Sequence, residues 1–136
     1  MAETLKLEIV TPEAKIYSEE VEMVTLPGSE GELGIYPNHV LLMTQVHAGE
    51  IIVNRDGAEE VLAGGEGFIE VTGDHVAILT DNAANSADID EAIAEEARRK
   101  AAARLAKGDI SEEEAKALNQ AILYSAAQIK AKRRRG

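Results

Sequence analysis

Glu30 and Glu32, two residues apart on a stretch broken by Gly28, Gly31 and Gly34, have the spacing closest to acid–base machinery in this chain. On an extended backbone they point to one side, so a proton donor and acceptor are conceivable there. A carboxylate needs burial or like-charge crowding before its pKa reaches a useful range, and a glycine-hinged loop displays its side chains to water instead. His39, His47 and His75 stand alone, without the His-x-His or Glu-x-x-His spacing that builds a metal site. With no cysteine and no Gly-x-Ser-x-Gly elbow, the common nucleophiles are missing. Gly28-x-x-Gly31-x-x-Gly34 and Gly64-Gly65-Glu66-Gly67 fail as phosphate cradles: the first carries two carboxylates that repel phosphate, and neither opens a helix. The glycines therefore read as turns and bulges, and the carboxylates as a surface presented to a partner.

The elements that must position this loop are short strands. Leu5-Lys6-Leu7-Glu8-Ile9 alternates apolar and charged residues, the mark of a strand with one buried face. Further strands are predicted at 16–17, 21–26, 34–36, 40–45, 51–54, 60–62, 68–72 and 76–80, with Val40-Leu41-Leu42-Met43 read as core. Asp56-Gly57 between two such runs is a hairpin signal, and Gly64-Gly65 and Gly73-Asp74 mark the next turns. Strands at this spacing suggest an antiparallel β-sandwich or flattened barrel.

After Asn82 the composition changes: residues 83–131 are rich in Ala, Glu, Lys and Arg, with one Gly and no Pro. Asp88-x-x-Glu91 and Ser111-x-x-Glu114 read as capping boxes, with Ile110 and Ala115 as a weak staple and Gly108 as a left-handed stop. These signals predict helices at 89–106 and 112–131, antiparallel across a short turn. Their apolar rows are Ile89, Ile93, Ala97, Ala101 and Leu105, and Ala115, Leu118, Ile122, Ala126 and Ile129. Alanine buries little area, so the hairpin is marginal alone and should depend on docking. The fold class is thus α+β: an antiparallel β-sandwich, residues 1–85, followed by a two-helix hairpin, residues 86–136.

Charge divides along the same line. Residues 1–85 carry 3 Lys/Arg against 16 Asp/Glu; residues 86–136 carry 11 against 9, and from Ala115 onward there are six cations and no carboxylate. Two ends of opposite sign should meet partners of opposite sign. A net charge of −11 and four aromatic residues argue against nucleic acid. No apolar run is long enough to span a membrane, and Met-Ala-Glu-Thr-Leu-Lys reads as neither an export nor a transit signal.

Ser29-Glu30-Gly31-Glu32-Leu33-Gly34-Ile35-Tyr36-Pro37-Asn38-His39 resembles the signature of the epsilon subunit of F-type ATP synthases, Ser/Thr-Gly-Glu-Leu-Gly-Ile-x-Pro-x-His. Gly64-Gly65-Glu66-Gly67-Phe68-Ile69-Glu70-Val71 resembles the family's Gly-Gly-Phe-x-Glu-Val strand, and Asp88-Ile89-Asp90 the start of its helical hairpin. The resemblance runs in register from about Leu5 to the C-terminus. It implies a non-catalytic rotor subunit with no cofactor, lying peripherally on the cytoplasmic face of the bacterial inner membrane. The sandwich would meet the gamma subunit and the c-ring through Glu30, Glu32 and His39. The hairpin would meet the alpha and beta subunits and inhibit ATP hydrolysis, with Arg98, Arg99, Lys100, Arg104, Lys130, Lys132, Arg133, Arg134 and Arg135 as the contacts. The alternative implied is a hairpin that senses ATP through an Ile/Leu-Asp-x-x-Arg-Ala motif. Here that motif reads Ile89-Asp90-Glu91-Ala92-Ile93-Ala94, so Asp90 is retained and Ile93 replaces the arginine that would grip phosphate. Lys100, Gln120 and Tyr124 fall near further arginine positions.

Overall fold

The computed structural model describes residues 3–38 and 41–135; the expectation for His39 lies outside them. Ten strands come first: β1 Leu5–Val10, β2 Lys15–Val21, β3 Met23–Gly28, β4 Gly31–Ile35, β5 Leu42–Val46, β6 Gly49–Arg55, β7 Ala58–Gly64, β8 Gly67–Thr72, β9 His75–Thr80 and β10 Ala83–Asn85. A 3-10 turn, Ser86–Asp88, leads into α1, Glu91–Lys107, and α2, Glu112–Arg135. The strand order is β10-β7-β6-β3-β5-β8-β9-β1-β2, with β4 on β3.

This path folds over into a sandwich. Its two layers meet at one end through a single β3–β5 pair, Gly28 with Val46. At the other end polar ties close it: the Tyr17 hydroxyl donates to Glu60 (2.9 Å) and Arg55 reaches Glu19 (2.8 Å) and Glu60 (3.2 Å). Every strand pair is antiparallel except β1 with β9, which run parallel from Lys6 opposite His75 to Val10 opposite Leu79.

Alternation places the core as the sequence implies. Leu5, Leu7 and Ile9 of β1, Val24 and Leu26 of β3, Ile69 and Val71 of β8, and Val76 and Ile78 of β9 face one another, all essentially buried. Each such side chain contributes about 1.5–3 kcal/mol by leaving water. β7 breaks the alternation, with Val61, Leu62, Ala63 and Gly64 all buried. Leu62 points into the sandwich, while Val61 and Ala63 lie in a second cluster with Ile89, Ala127 and Ala131. A strand buried on both faces is covered on both, and α2 is the cover.

Several boundaries differ from expectation. The predicted strand 21–26 is two strands broken at Glu22. The strand expected from Val40 begins at Leu42. Val40 is outside the described residues, Leu41 and Met43 are exposed (76% and 70%), and of the described residues in this run Leu42 alone packs against the core. The Asp56-Gly57 turn forms as predicted, both residues at positive φ (53° and 76°) as a tight hairpin of matching twist requires.

The first helix starts later than read. Its cap is Asp90, whose carboxylate accepts from the amides of Ala92 (2.9 Å) and Ile93 (3.2 Å); Asp88 belongs to the preceding 3-10 turn and Ile89 lies outside the helix. Ser111 caps α2 as expected, through the Glu114 amide (3.1 Å), but the Glu114 carboxylate pairs with Arg104 instead of reaching back. Gly108 ends α1 at φ 70°. Ile93, assigned to the inner row, is 68% exposed, and Ala94 and Ala101 are the buried residues of α1. On α2 the buried residues are Ser125, Ala127 and Ala131, a face the apolar row did not include.

Candidate functional site

Two features converge on one side of the sandwich: the tip of the β3–β4 hairpin and the cationic end of α2. β3 and β4 pair from Val24 opposite Ile35 to Gly28 opposite Gly31, leaving Ser29 and Glu30 as the turn. Glu32 follows on β4, opposite Pro27, and both carboxylates are exposed. Since Glu30 sits in the turn and Glu32 on a strand, the side-by-side arrangement on extended backbone does not form. Asn38, at φ 64°, is itself held at two points: its amide donates to Asp74 (2.9 Å) and its side chain to Glu3 (3.0 Å).

The two described histidines, His47 and His75, stand in separate environments. His47 is exposed, its backbone amide bound to the Pro27 carbonyl (2.8 Å). His75 Nε2 lies 2.6 Å from Glu8, which also pairs with Lys15 (2.5 Å). The Lys15 hydrogen bond, followed by that from His75, lowers the Glu8 pKa to about 2. Among the described residues no group of three or more His, Cys, Asp and Glu side chains is placed to hold a metal.

The predicted cations fall into two sets. Along α1 they pair within the hairpin: Arg98 with Glu95, Arg99 with Glu96 (2.5 Å), Lys100 with Glu96 (4.0 Å), and Arg104 across to Glu114 on α2 (3.0 Å). Arg133 likewise reaches back to Glu91 on α1 (2.7 Å). The second set ties α2 to the strands. Arg134 donates from Nε to Glu50 Oε2 (2.6 Å) and from Nη2 to Oε1 (3.2 Å), and Lys130 lies 3.6 Å from the same carboxylate. Lys132 donates to the Ser86 carbonyl (3.3 Å) and Gln120 to Glu66 (3.2 Å). Arg135 is the last residue of α2, and its side chain is outside the described atoms.

Glu50 was not singled out in the sequence. It stands at the head of β6, where Ile51 and Val53 point into the core, so Glu50 points outward under α2. Its side chain is only 7% exposed, and the Arg134 hydrogen bond holds its carboxyl below the ordinary carboxylate range. The available signal was a lone carboxylate between Gly49 and an Ile-Ile-Val run.

Two clefts border this contact. One, of about 320 Å³, has Glu32, Glu50, Lys130 and Arg134 in its wall, so the acidic hairpin and the cationic tail share a surface. The other, of about 780 Å³ between the helices, is lined by Glu95, Arg98, Ala126, Ile129, Lys130, Arg133 and Arg134. The Asp90 carboxylate is used as a helix cap, and Ile93, at the motif's arginine position, is exposed. Tyr124 packs against the Val61 cluster, and burial raises its hydroxyl pKa. On the other layer, Leu41 and Met43 beside β8 and Phe68 and Leu79 on β8 and β9 leave an apolar face uncovered.

The ATP synthase, Delta/Epsilon chain, beta-sandwich domain family matches residues 4–86. An ATP synthase epsilon chain of Laribacter hongkongensis is 42% identical over 130 residues, 94% of this chain and 92% of that one. An ATP synthase epsilon chain of Pelotomaculum thermopropionicum is 43% identical over 104 residues, 76% of this chain and 78% of that one. Among solved structures, a chain of the Euglena gracilis mitochondrial ATP synthase (OSCP/F1/c-ring) aligns with a TM-score of 0.76 at 22% identity, covering 96% of this chain and 82% of that one. A chain of the Tetrahymena thermophila mitochondrial ATP synthase central stalk and c-ring aligns at 0.60 and 13%, covering 96% and 98%. At these identities the structural likeness concerns the fold.

Proposed function

This chain belongs to the ATP synthase delta/epsilon family, and from that premise we propose that it is a non-catalytic central-stalk subunit of an F-type ATP synthase. Residues 1–85 form the rotor-binding unit, meeting the gamma subunit and the c-ring through Glu30, Glu32 and His39. The uncovered apolar face around Leu41, Met43, Phe68 and Leu79 supports a protein partner on that layer. Residues 86–136 form a regulatory hairpin. Freed from the sandwich, it reaches the alpha and beta subunits with its cations, from Arg98 to Arg135, and blocks ATP hydrolysis by wedging between head and shaft. The assembly sits peripherally on the cytoplasmic face of the bacterial inner membrane; no described helix is long and apolar enough to cross one.

The observation that carries this reading is the joint between α2 and β6–β7. Ala127 and Ala131 meet Val61, Ala63 and Ile89 in a cluster separate from the main core, so the helices can leave without opening the sandwich. Cutting the chain after Ala87 tests it. The remaining sandwich is expected to keep its circular dichroism and join the complex, and the complex to hydrolyse ATP faster. A truncated chain that unfolds or fails to assemble overturns the reading.

A nucleotide-sensing hairpin has one observation in its favour, the cation-lined cleft of about 780 Å³ between α1 and α2. Its arginines are already engaged by Glu95, Glu91 and Glu50, which a phosphate would have to displace. Equilibrium dialysis of the chain with ATP and Mg²⁺ separates the two readings.

A further inference from the structure

We propose that the last two turns of α2 are a latch: Arg134 and Lys130 close on Glu50 at the head of β6 and hold the hairpin docked on its own sandwich. The inference rests on the reading that the freed hairpin is the inhibitory one, and it assigns these two cations to the docked state.

Glu50 is the unusual partner. A carboxylate under a helix loses its water, which costs free energy unless charged donors replace it. Among the described residues its donors are Arg134 and Lys130. The guanidinium meets both carboxylate oxygens, the bidentate geometry in which such a pair is strongest. Lys130 lies one turn earlier on the same helix face, so both cations arrive and depart together.

The rest of the joint is slight. Apart from half-buried Tyr124, α2 offers methyl groups to Val61, Ala63 and Ile89, where burial scales with area, and two single hydrogen bonds, Lys132 to the Ser86 carbonyl (3.3 Å) and Gln120 to Glu66 (3.2 Å). The ion pairs therefore hold a large share of the docked-to-free balance. Arg133 marks the contrast: it binds Glu91 on α1 and travels with the hairpin. Adjacent residues thus do separate jobs, one closing the hairpin and one holding it down.

The chain has no cysteine, so nitroxides at Asp56→Cys on the β6–β7 turn and Asn119→Cys on α2 report docking by pulsed electron resonance. Glu50→Gln and Arg134→Gln are each expected to raise the undocked population about tenfold, the scale of losing a hydrogen bond to a charged group. The exchange of Glu50→Arg with Arg134→Glu should restore docking, which a merely structural role of either residue would not allow. Raising salt from about 0.01 M to about 1 M, where the screening length falls from about 30 to about 3 Å, should undock the wild type and leave Glu50→Gln little changed. Unchanged distance populations in both single variants and across salt would overturn the latch; circular dichroism confirms that each variant is folded, and Arg134→Gln carries the test if Glu50→Gln is not. In the assembled complex, Glu50→Gln should slow ATP hydrolysis. Undocking without slower hydrolysis leaves the latch standing and overturns the inhibitory reading instead.

Discussion

Replacing Ala131 by Leu puts the joint between hairpin and sandwich under direct load. Ala131 is fully buried, on the α2 face that meets Val61, Ala63 and Ile89. An isobutyl group in place of its methyl has no room, and overpacking of this kind costs about 1–3 kcal/mol. The strain can distort β7 or lift α2. β7 is held by β6 along its whole length and by Leu62 in the main core, whereas α2 rests on small side chains. The helix should therefore yield, and about 1–3 kcal/mol shifts the docked-to-free ratio roughly 5- to 150-fold. The nitroxide pair at Asp56→Cys and Asn119→Cys reads that ratio, and differential scanning calorimetry reads the sandwich. Ala121→Leu adds the same volume at an exposed position of α2 and should leave docking unchanged. Wild-type docking in Ala131→Leu with a lowered melting temperature would mean that the sandwich yields first, and the picture of a weak joint would be refuted.

Reversing Glu32 to Lys should lower the coupling of proton pumping to ATP turnover in reconstituted complexes. Stability of the isolated chain should stay within about 0.5 kcal/mol, as for a solvent-exposed surface position; intact coupling would remove Glu32 from the rotor contact. The Glu8 carboxyl titrates near 2 when folded, against an ordinary value of 4.5, so the stability it contributes is present above about pH 4.5 and lost as pH falls toward 2. Melting temperature measured against pH should therefore fall less steeply over that range in Glu8→Gln, and identical slopes would show that the Lys15 and His75 contacts add nothing. Gly67→Ala would place a Cβ 2.0 Å from the Leu79 carbonyl oxygen, so urea denaturation should show a loss of at least about 1–3 kcal/mol, and a neutral result would contradict the β8–β9 register.

The sandwich was largely legible because its signals are local. Period-two alternation in 5–9 and the Asp56-Gly57 turn each specify a strand face or a hairpin within a few residues. The helices were legible as helices but not as packed objects. In α1 and α2 alanine populates nearly every face, so burying Ala94 or Ala127 instead of Ile93 leaves no trace in the hydropathy pattern. Ile93 and Met43 were read inward because they are apolar, yet an apolar side chain on a surface is legible only once its neighbours are placed. The carboxylates of the glycine-rich loop were visible from spacing alone. Glu50 was not, because its significance comes from Arg134, far along the chain and brought close only by the docking of α2.

The parallel pairing of β1 with β9 governs the order in which a nascent chain can assemble. β1 hydrogen-bonds on one edge to β2, its immediate successor, but on the other to a strand that emerges only after most of the sandwich has been made. Until His75–Thr80 leaves the ribosome, that edge of β1 has no permanent partner, and an open edge invites pairing with other chains. Bringing ends so distant together also carries a loop-closure cost before the contact returns anything, which places this domain among slow folders for its size. The helices, synthesised last, meet a β6–β7 surface already complete. Premature termination before Thr80 should therefore yield aggregates, whereas termination after the last strand leaves a finished body awaiting its arm.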